Sequence, residues 1–187
     1  LVIKDLTIFD FFKEKKHFVK SERTVIKLSI KNLLSKEKQK LRKIEIKNYE
    51  MNFDLDNFKK YKAIFAKKIN YIPVNFINGK ITLFDKENYV ATISEVNLNL
   101  KLDEYSKNAK LEGKFLNDSI FINLDSSKID NKLTTDVILK MSNLNLLTKI
   151  NLLHPNEDKS VMNGNVLIKK GKNKFLATFN YEDDEIK

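Results

Sequence analysis

The hexapeptide Val25-Ile26-Lys27-Leu28-Ser29-Ile30 shows the pattern from which the fold of this chain can be predicted. Its even-numbered residues are all aliphatic, whereas Lys27 and Ser29 between them are polar. Side chains alternate between the two faces of a β-strand, so this spacing predicts a strand with one buried face and one exposed face.

The same two-residue period recurs along most of the chain and predicts about nine or ten strands of ordinary length. Between Ile46 and Met51, and again at Val96, the apolar positions change parity, which predicts that the strand turns its other side to the core. The periodic runs are Ile44–Leu55, Ile81–Leu83, Ile93–Leu102, Leu111–Phe115, Ile120–Leu124, Val137–Met141, Val166–Ile168 and Phe175–Phe179.

Short polar segments separate these runs and predict hairpin turns, because Gly and Asn accept the positive φ that tight turns require. Turns this short favour antiparallel neighbours over βαβ units. The candidate turns are Asn78-Gly79, Asn117-Asp118, Ser126-Ser127, Asp130-Asn131, Asn163-Gly164 and Lys170–Asn173.

One segment departs from the two-residue period. Phe58, Tyr61 and Phe65 fall at helical spacing with lysines opposite, which predicts an amphipathic helix over residues 54–70. This helix would divide the chain into a strand block, residues 1–53, and a longer antiparallel run, residues 71–187. A second apolar run, Leu144 to Leu153, predicts a shorter helical turn.

The chain offers few residues for catalysis or for metal binding. It has 187 residues, no cysteine and two histidines. Neither His17 nor His154 stands at metal-ligand spacing, and we expect both to be exposed. The four glycines form no phosphate-binding loop, and no nucleophile motif is present. We therefore expect neither enzymatic activity nor a metal or cofactor.

The formal net charge is +10, which raises the question of an anionic partner. Only Arg23 and Arg42 are arginines, although arginine is the usual residue for bidentate contacts to phosphates and bases. We therefore expect no nucleic acid partner, and a basic nucleic-acid-binding sheet is the less favoured alternative. Attraction to anionic lipid headgroups is an equally economical explanation of the charge.

The predicted strands carry more apolar surface than one helix can cover. Such a sheet can close into a barrel, pair as a β-sandwich, or curl into a trough whose apolar face stays open. In the first two arrangements the apolar face is ordinary core, and in the third it is a groove. Periodicity does not distinguish them, and frequency among folds favours the closed forms.

The order of strands and helix resembles that of the AsmA-like family, the AsmA/TamB-type lipid-transfer proteins of the bacterial envelope. In the family a pair of strands leads through a leucine-leucine corner into a further strand. An amphipathic helix follows, and then a strand that opens on an Asn-Gly pair. The segments that carry the resemblance are Leu1–Asp10, Phe18–Ser21, Val25–Leu34, Ile44–Phe53, Asn57–Ile69, Phe76–Asp85, Val90–Leu100, Leu111–Phe115 and Ile120–Leu124.

The resemblance implies a mainly β chain, a curled antiparallel sheet that forms an open apolar trough, with one amphipathic helix. It also implies a non-enzymatic protein of the Gram-negative periplasm, attached to the inner membrane, that carries phospholipid for outer-membrane biogenesis. The chain begins at Leu1 in an apolar run, so we expect a segment of a longer protein whose anchor lies elsewhere. We expect no obligate oligomer.

Parity then assigns residues to the inner face of the trough, where acyl chains would lie. For each of them the alternative is the plain core of a closed sheet, in a structural or adhesive β-domain. These candidates are Ile81, Leu83, Ile93, Leu98, Leu100, Leu111, Phe115, Ile120, Ile122, Leu124, Val137, Leu139, Val166, Ile168, Phe175 and Phe179.

Overall fold

The computed structural model describes residues 1–10, 12–13, 16–28, 41–57, 60, 72–103, 106–129, 132–155, 161–182 and 185–186. Twelve strands lie in this part of the chain. They are β1 (Val2–Phe9), β2 (His17–Leu28), β3 (Leu41–Asp54), β4 (Val74–Asp85), β5 (Asn88–Leu102), β6 (Ser106–Phe115), β7 (Asp118–Ile129), β8 (Lys132–Met141), β9 (Leu146–His154), β10 (Val161–Lys170), β11 (Asn173–Glu182) and β12 (Glu185–Ile186).

The strands form one sheet in which each is hydrogen-bonded to the next in the chain, from β1 to β12. The prediction of a mainly β chain is therefore confirmed. The sheet is open, so the alternative of a closed barrel is wrong. Of the predicted helix over residues 54–70, Leu55–Asn57 form a 3-10 turn, and most of the remainder lies outside the described residues.

One strand pair differs from the predicted antiparallel arrangement. β3 and β4 run parallel, with Ile46 beside Phe76 and Met51 beside Ile81. A parallel pair cannot be joined by a tight turn and needs a crossover of about a dozen residues or more. The chain between Asp54 and Val74 has the length for that crossover.

Three of the predicted turns lie inside strands instead. Asn78-Gly79 belongs to β4, Ser126-Ser127 to β7 and Asn163-Gly164 to β10. Each glycine lies against an aromatic ring: a Cβ at position 79 would overlap Tyr49, and one at position 164 would overlap Phe179. Glycine stands at both positions because a ring from the neighbouring strand occupies the space of its side chain.

Two predicted turns agree with the structure, and one cannot be compared. The chain turns at Leu116-Asn117 and at Gly171-Lys172. Asp130-Asn131 lies outside the described residues. Both observed turns contain residues at positive φ: Leu116 (50°), Asn117 (63°) and Gly171 (59°). Position 171 requires glycine because its φ is positive. Positions 79 and 164 require glycine because an aromatic ring leaves no room for a Cβ.

The helical turn predicted over Leu144–Leu153 is wrong, because this segment forms the strand β9, Leu146–His154. The strand lies between β8 and β10, and leucines occupy both of its faces. An interior strand that is half-covered on both faces loses the simple alternation of apolar and polar residues. The run of apolar residues therefore reflects the central position of β9.

The described residues make up two compact units. Unit 1 comprises Leu1–Asn99 with Gly113–Phe115, and unit 2 comprises Leu100–Glu112 with Leu116–Lys187. Unit 1 contains a closely packed apolar core. Its buried members include Phe18, Val19, Ile46, Tyr49, Met51, Phe76, Ile81, Ile93 and Val96.

Left-handed residues inside the strands of unit 1 produce the two predicted changes of face. Asn48 in β3 has φ 47°, and Glu95 in β5 has φ 50°. A residue in this conformation breaks the ladder and shifts the alternation of the residues that follow. Ile46 and Met51 are consequently both buried although they are five positions apart, and Val96 is buried three positions after Ile93.

A buried carboxylate lies on the opposite face of unit 1. Glu45 in β3 is 8% exposed, and its Oε1 atom lies 2.8 Å from the ammonium of Lys27 and 3.1 Å from that of Lys43. Lys47 approaches the other carboxylate oxygen to 3.7 Å. The hydrogen bonds from Lys27 and Lys43 lower the pKa of Glu45 to about 2.

This lowered pKa predicts a specific loss of stability in acid. A carboxyl group whose pKa is depressed in the folded state stabilises the protein above its unfolded pKa of about 4.3, and that contribution disappears as pH falls through the folded value. We therefore expect the urea midpoint of the wild-type chain to fall more steeply between pH 5 and pH 2 than that of Glu45→Gln. Parallel curves for the two proteins over this range would contradict the assignment.

Candidate functional site

The register of unit 2 aligns aliphatic side chains of five strands in lateral rows. In the most regular row, each residue is paired directly with the next, so all five lie on one face of the sheet. This row consists of Leu124, Val137, Ile150, Val166 and Ala177, on β7 to β11 respectively.

Neighbouring rows extend this surface in both directions along the strands. On one side of the central row lie Ile122, Leu139, Thr148, Ile168 and Phe175, and beyond them Ile120, Met141 and Leu146. On the other side Leu152, Gly164 and Phe179 are in register. We call the surface formed by these residues and the central row the apolar face of unit 2.

Most of the apolar face is only half-covered. Ile120, at 7% exposure, and Met141, at 8%, are buried, whereas Leu124, Val137 and the aliphatic residues of the central strands keep intermediate exposure. Phe175 is 58% exposed. Within the described part of the chain, this face therefore resembles one layer of a hydrophobic core whose side chains are only partly covered by other residues.

The opposite face of the same strands is polar along its corresponding row. Asp125, Asp136, Asn151, Asn165 and Thr178 are in register across β7 to β11. The Asn151 amide donates a hydrogen bond to the Asp136 carboxylate, which reduces the repulsion between Asp136 and Asp125 beside it. In this row the five strands thus present hydrogen-bonding side chains, although the same face also carries half-buried apolar residues, among them Ile138, Leu147 and Leu167.

The Phe179 side chain on the apolar face lies over the glycine beside it. Its ring occupies the space above Gly164, which is its direct neighbour in register on β10. Gly164 is buried and Phe179 is half-buried. The aromatic side chain thereby covers a position that has no side chain of its own.

The structure brings together nine of the sixteen residues predicted for the inner face. They are Ile120, Ile122, Leu124, Val137, Leu139, Val166, Ile168, Phe175 and Phe179, all on the apolar face of unit 2. Further members of this face are not among the sixteen candidates: Met141 and Ala177, which share the two-residue period of their strands, and Leu146, Ile150 and Leu152. Three of these belong to β9, in the segment for which the sequence predicts a helical turn.

The other seven predicted residues lie elsewhere. Ile81 and Ile93 are in the buried core of unit 1, at 8% and 9% exposure, where other side chains already cover them. The remaining five are half-buried: Leu83, Leu98 and Phe115 in unit 1, and Leu100 and Leu111 in unit 2.

Unit 1 also contains a cavity of about 260 Å³ lined by residues that include Lys13, His17, Asn52 and Asp54. The buried Asp54 carboxylate pairs with Lys13 and accepts hydrogen bonds from the backbone N–H groups of Asp56 and Lys86. Burial raises the pKa of Asp54, but these hydrogen bonds outweigh burial and lower it overall. The charge of this carboxylate is therefore compensated by groups of the protein itself.

Both histidines are less exposed than predicted. His17 is half-buried, and its Nε2 atom lies 3.0 Å from the side-chain nitrogen of Asn52. His154, at the end of β9, is half-buried as well, and the burial extends to its Nδ1 atom. No three His, Asp or Glu side chains of the described residues are grouped so that they could hold a metal ion.

Two further observations bear on how this site can be interpreted. Among the residues that the structure describes, no helix is long and apolar enough to cross a membrane. In comparisons with models of protein families, with curated proteins and with solved structures, the chain matched none.

Proposed function

We propose that this chain is a non-enzymatic lipid-handling protein whose apolar face in unit 2 binds phospholipid acyl chains. The observation that carries the proposal is the register of five strands, which collects aliphatic side chains on one face and leaves them half-covered. The resemblance to AsmA-like proteins supports the same function. It would place the chain in the periplasm of a Gram-negative bacterium, with an inner-membrane attachment and a role in outer-membrane biogenesis.

The dimensions of the apolar face suit an acyl chain. Five strands at a spacing of about 4.8 Å give each row a length of roughly 19 Å. The hydrocarbon layer of one membrane leaflet is about 15 Å thick, so an extended acyl chain fits along one row. Each methylene transferred from water to this surface contributes up to about 0.8 kcal/mol.

The chemistry of the rows is consistent with movement of lipid along them. The central row has only aliphatic side chains, and the next row adds one hydroxyl, that of Thr148. The central row therefore binds hydrocarbon through area alone and has no polar group that would fix one position of the chain. A lipid bound there can slide from strand to strand.

The first test is the lipid content of the purified protein. The chain is isolated without detergent, extracted with organic solvent and analysed by mass spectrometry. We expect phospholipid to co-purify with it in a reproducible molar ratio. A lipid-free chain with a cooperative unfolding transition would instead show that the apolar face is covered in solution.

The second candidate function is a structural β-domain with a dry core. The packed core of unit 1 favours it, since Val19, Tyr49 and Val96 are each no more than 2% exposed. We therefore assign a structural role to the interior of unit 1 and the lipid-binding role to unit 2. A lipid-free result would extend the structural function to the whole chain.

A further inference from the structure

Two turns of unit 2 form a shared tip. The turn between β8 and β9 contains Leu144, and the turn between β10 and β11 contains Gly171. The backbone N–H of Gly171 donates a hydrogen bond of 3.1 Å to the carbonyl of Asn145, which joins the two turns. We call the residues of these turns, together with the strand ends that flank them, the tip of unit 2.

A buried carboxylate fixes the conformation of the first turn. Asp118, at 4% exposure, accepts hydrogen bonds from the backbone N–H groups of Asn143 (2.8 Å) and Leu144 (3.0 Å). Both N–H groups point inward to this carboxylate. The Leu144 side chain is 49% exposed at the surface of the turn.

The tip exposes large apolar side chains. Besides Leu144, Phe175 is 58% exposed and Leu176 is 62% exposed, and these two belong to opposite faces of the sheet. Apolar side chains gathered at one end of a unit are typical of a surface that contacts another apolar phase.

Exposed lysines surround these apolar side chains: Lys140, Lys169, Lys170, Lys172 and Lys174. Lys169 and Lys174 are direct neighbours in register on β10 and β11, an arrangement in which like charges repel. Within the described part of the chain none of these five has a carboxylate partner, and Lys140 lies 5.6 Å from the centre of the Phe121 ring. The tip therefore carries an uncompensated positive charge that an anionic surface would neutralise.

We propose that the tip of unit 2 docks on the surface of an anionic phospholipid membrane. Lysines among exposed leucine and phenylalanine side chains match such a surface in both of its parts: ammonium groups meet lipid phosphates, and apolar side chains enter the headgroup boundary. Phe175 belongs to both surfaces, whereas Leu144 and Leu176 belong to the tip but not to the apolar face. The protein can bind a membrane through the tip whether or not it carries an acyl chain.

The composition of the tip favours a membrane over a nucleic acid. Nucleic-acid surfaces combine positive charge with aromatic side chains on which bases stack, and they often use arginine. The tip has no arginine, and two of its three large exposed apolar residues, Leu144 and Leu176, are aliphatic. Aliphatic side chains add nothing to phosphate binding in water, whereas they add affinity for a bilayer.

The test is co-sedimentation of the whole chain with vesicles of phosphatidylcholine alone or with about 30% phosphatidylglycerol. We expect binding only to the anionic vesicles, weakened by salt since the Debye length shortens from about 10 Å at 0.1 M. Lys169→Glu with Lys174→Glu should weaken it tenfold or more, because one lysine at an anionic surface contributes about fivefold. Lys107→Glu with Lys132→Glu makes the same change in net charge on exposed lysines at the other strand ends and should weaken it far less.

A second pair of changes tests the apolar part of the tip. Leu144→Ser with Leu176→Ser leaves the charge intact and should also reduce vesicle binding several-fold, while binding to a short DNA duplex stays unchanged. Failure of the wild-type chain to bind anionic vesicles would overturn the proposal. Equal losses of vesicle binding in the two lysine variants would also overturn it. The same holds if the leucine substitutions leave vesicle binding unchanged. The lipid content of the purified protein is measured independently, so failure of the tip is distinguishable from failure of the apolar face.

Discussion

Gly79→Ala should destabilise the chain by about 3 kcal/mol, an unusually large effect for the addition of one methyl group. The new Cβ would overlap the ring of Tyr49, which is 2% exposed and packs against Phe76 at 5.1 Å between ring centroids. The Tyr49 hydroxyl donates a hydrogen bond to the carbonyl of Val96, at 3.4 Å. To accommodate the methyl group the ring must leave this site, and overpacking or loss of a buried aromatic costs about this much.

A double-mutant cycle measures whether the clash is the cause. Urea unfolding followed by circular dichroism gives the free energy of unfolding for Gly79→Ala, for Tyr49→Ala and for the two together. We expect Gly79→Ala to cost almost nothing once the ring is absent, because position 79 has no positive φ that would exclude alanine. Gly171→Ala is the control: its φ is 59° but a Cβ at this position would meet no atom of a residue beyond its chain neighbours within 4 Å, so its cost is backbone strain of roughly 1–2 kcal/mol. Additive costs at positions 49 and 79 would contradict the steric explanation.

The two-residue period was sufficient to predict the mainly β fold, since it depends only on which residues are apolar. It also located the changes of face near Asn48 and Glu95. A residue in the left-handed conformation shifts the alternation, so that the apolar residues after it change from odd to even positions or the reverse. The glycines were misread for a physical reason. Gly79 and Gly164 follow asparagines as turn glycines do, and only the register shows that a ring of the adjacent strand covers each of them.

The candidate site was predicted in part for a related reason. Parity identifies residues of one face within a strand, but it does not tell whether another layer covers that face. Ile81 and Ile122 therefore had the same pattern in the sequence, yet Ile81 is buried in unit 1 and Ile122 lies on the half-covered face of unit 2. Nor could β9 be recognised, because leucines occupy both of its faces and hide the period. Coverage and pairing depend on contacts between distant segments, which a local pattern does not contain.

A single carboxylate on the apolar face should abolish lipid loading, and this is the most direct prediction of the proposed function. Leu139 and Ile138 are neighbours in β8, both aliphatic and both half-buried, but they lie on opposite faces of the sheet. Leu139 pairs with Ile122 on the apolar face, whereas Ile138 pairs with Asn123 and Lys149 on the other. Leu139→Glu and Ile138→Glu therefore form a matched pair.

We expect phospholipid recovered per mole of protein to fall below a tenth of the wild-type value for Leu139→Glu and to remain near it for Ile138→Glu. An ionised carboxylate in the path of an acyl chain would have to give up its hydration, which costs several kcal/mol and exceeds what a few methylenes contribute. At position 138 the new carboxylate lies on the other face, beside Lys149 in register, and is outside the path of the acyl chain. Circular dichroism and the urea midpoint check that both variants fold.

Equal lipid loading in two folded variants would show that the lipid lies elsewhere. Loss of loading in Ile138→Glu alone would place the lipid on the opposite face of the sheet. Because the two substitutions differ only in the face of one strand, their comparison tests the assignment of the apolar face with the change in charge held constant.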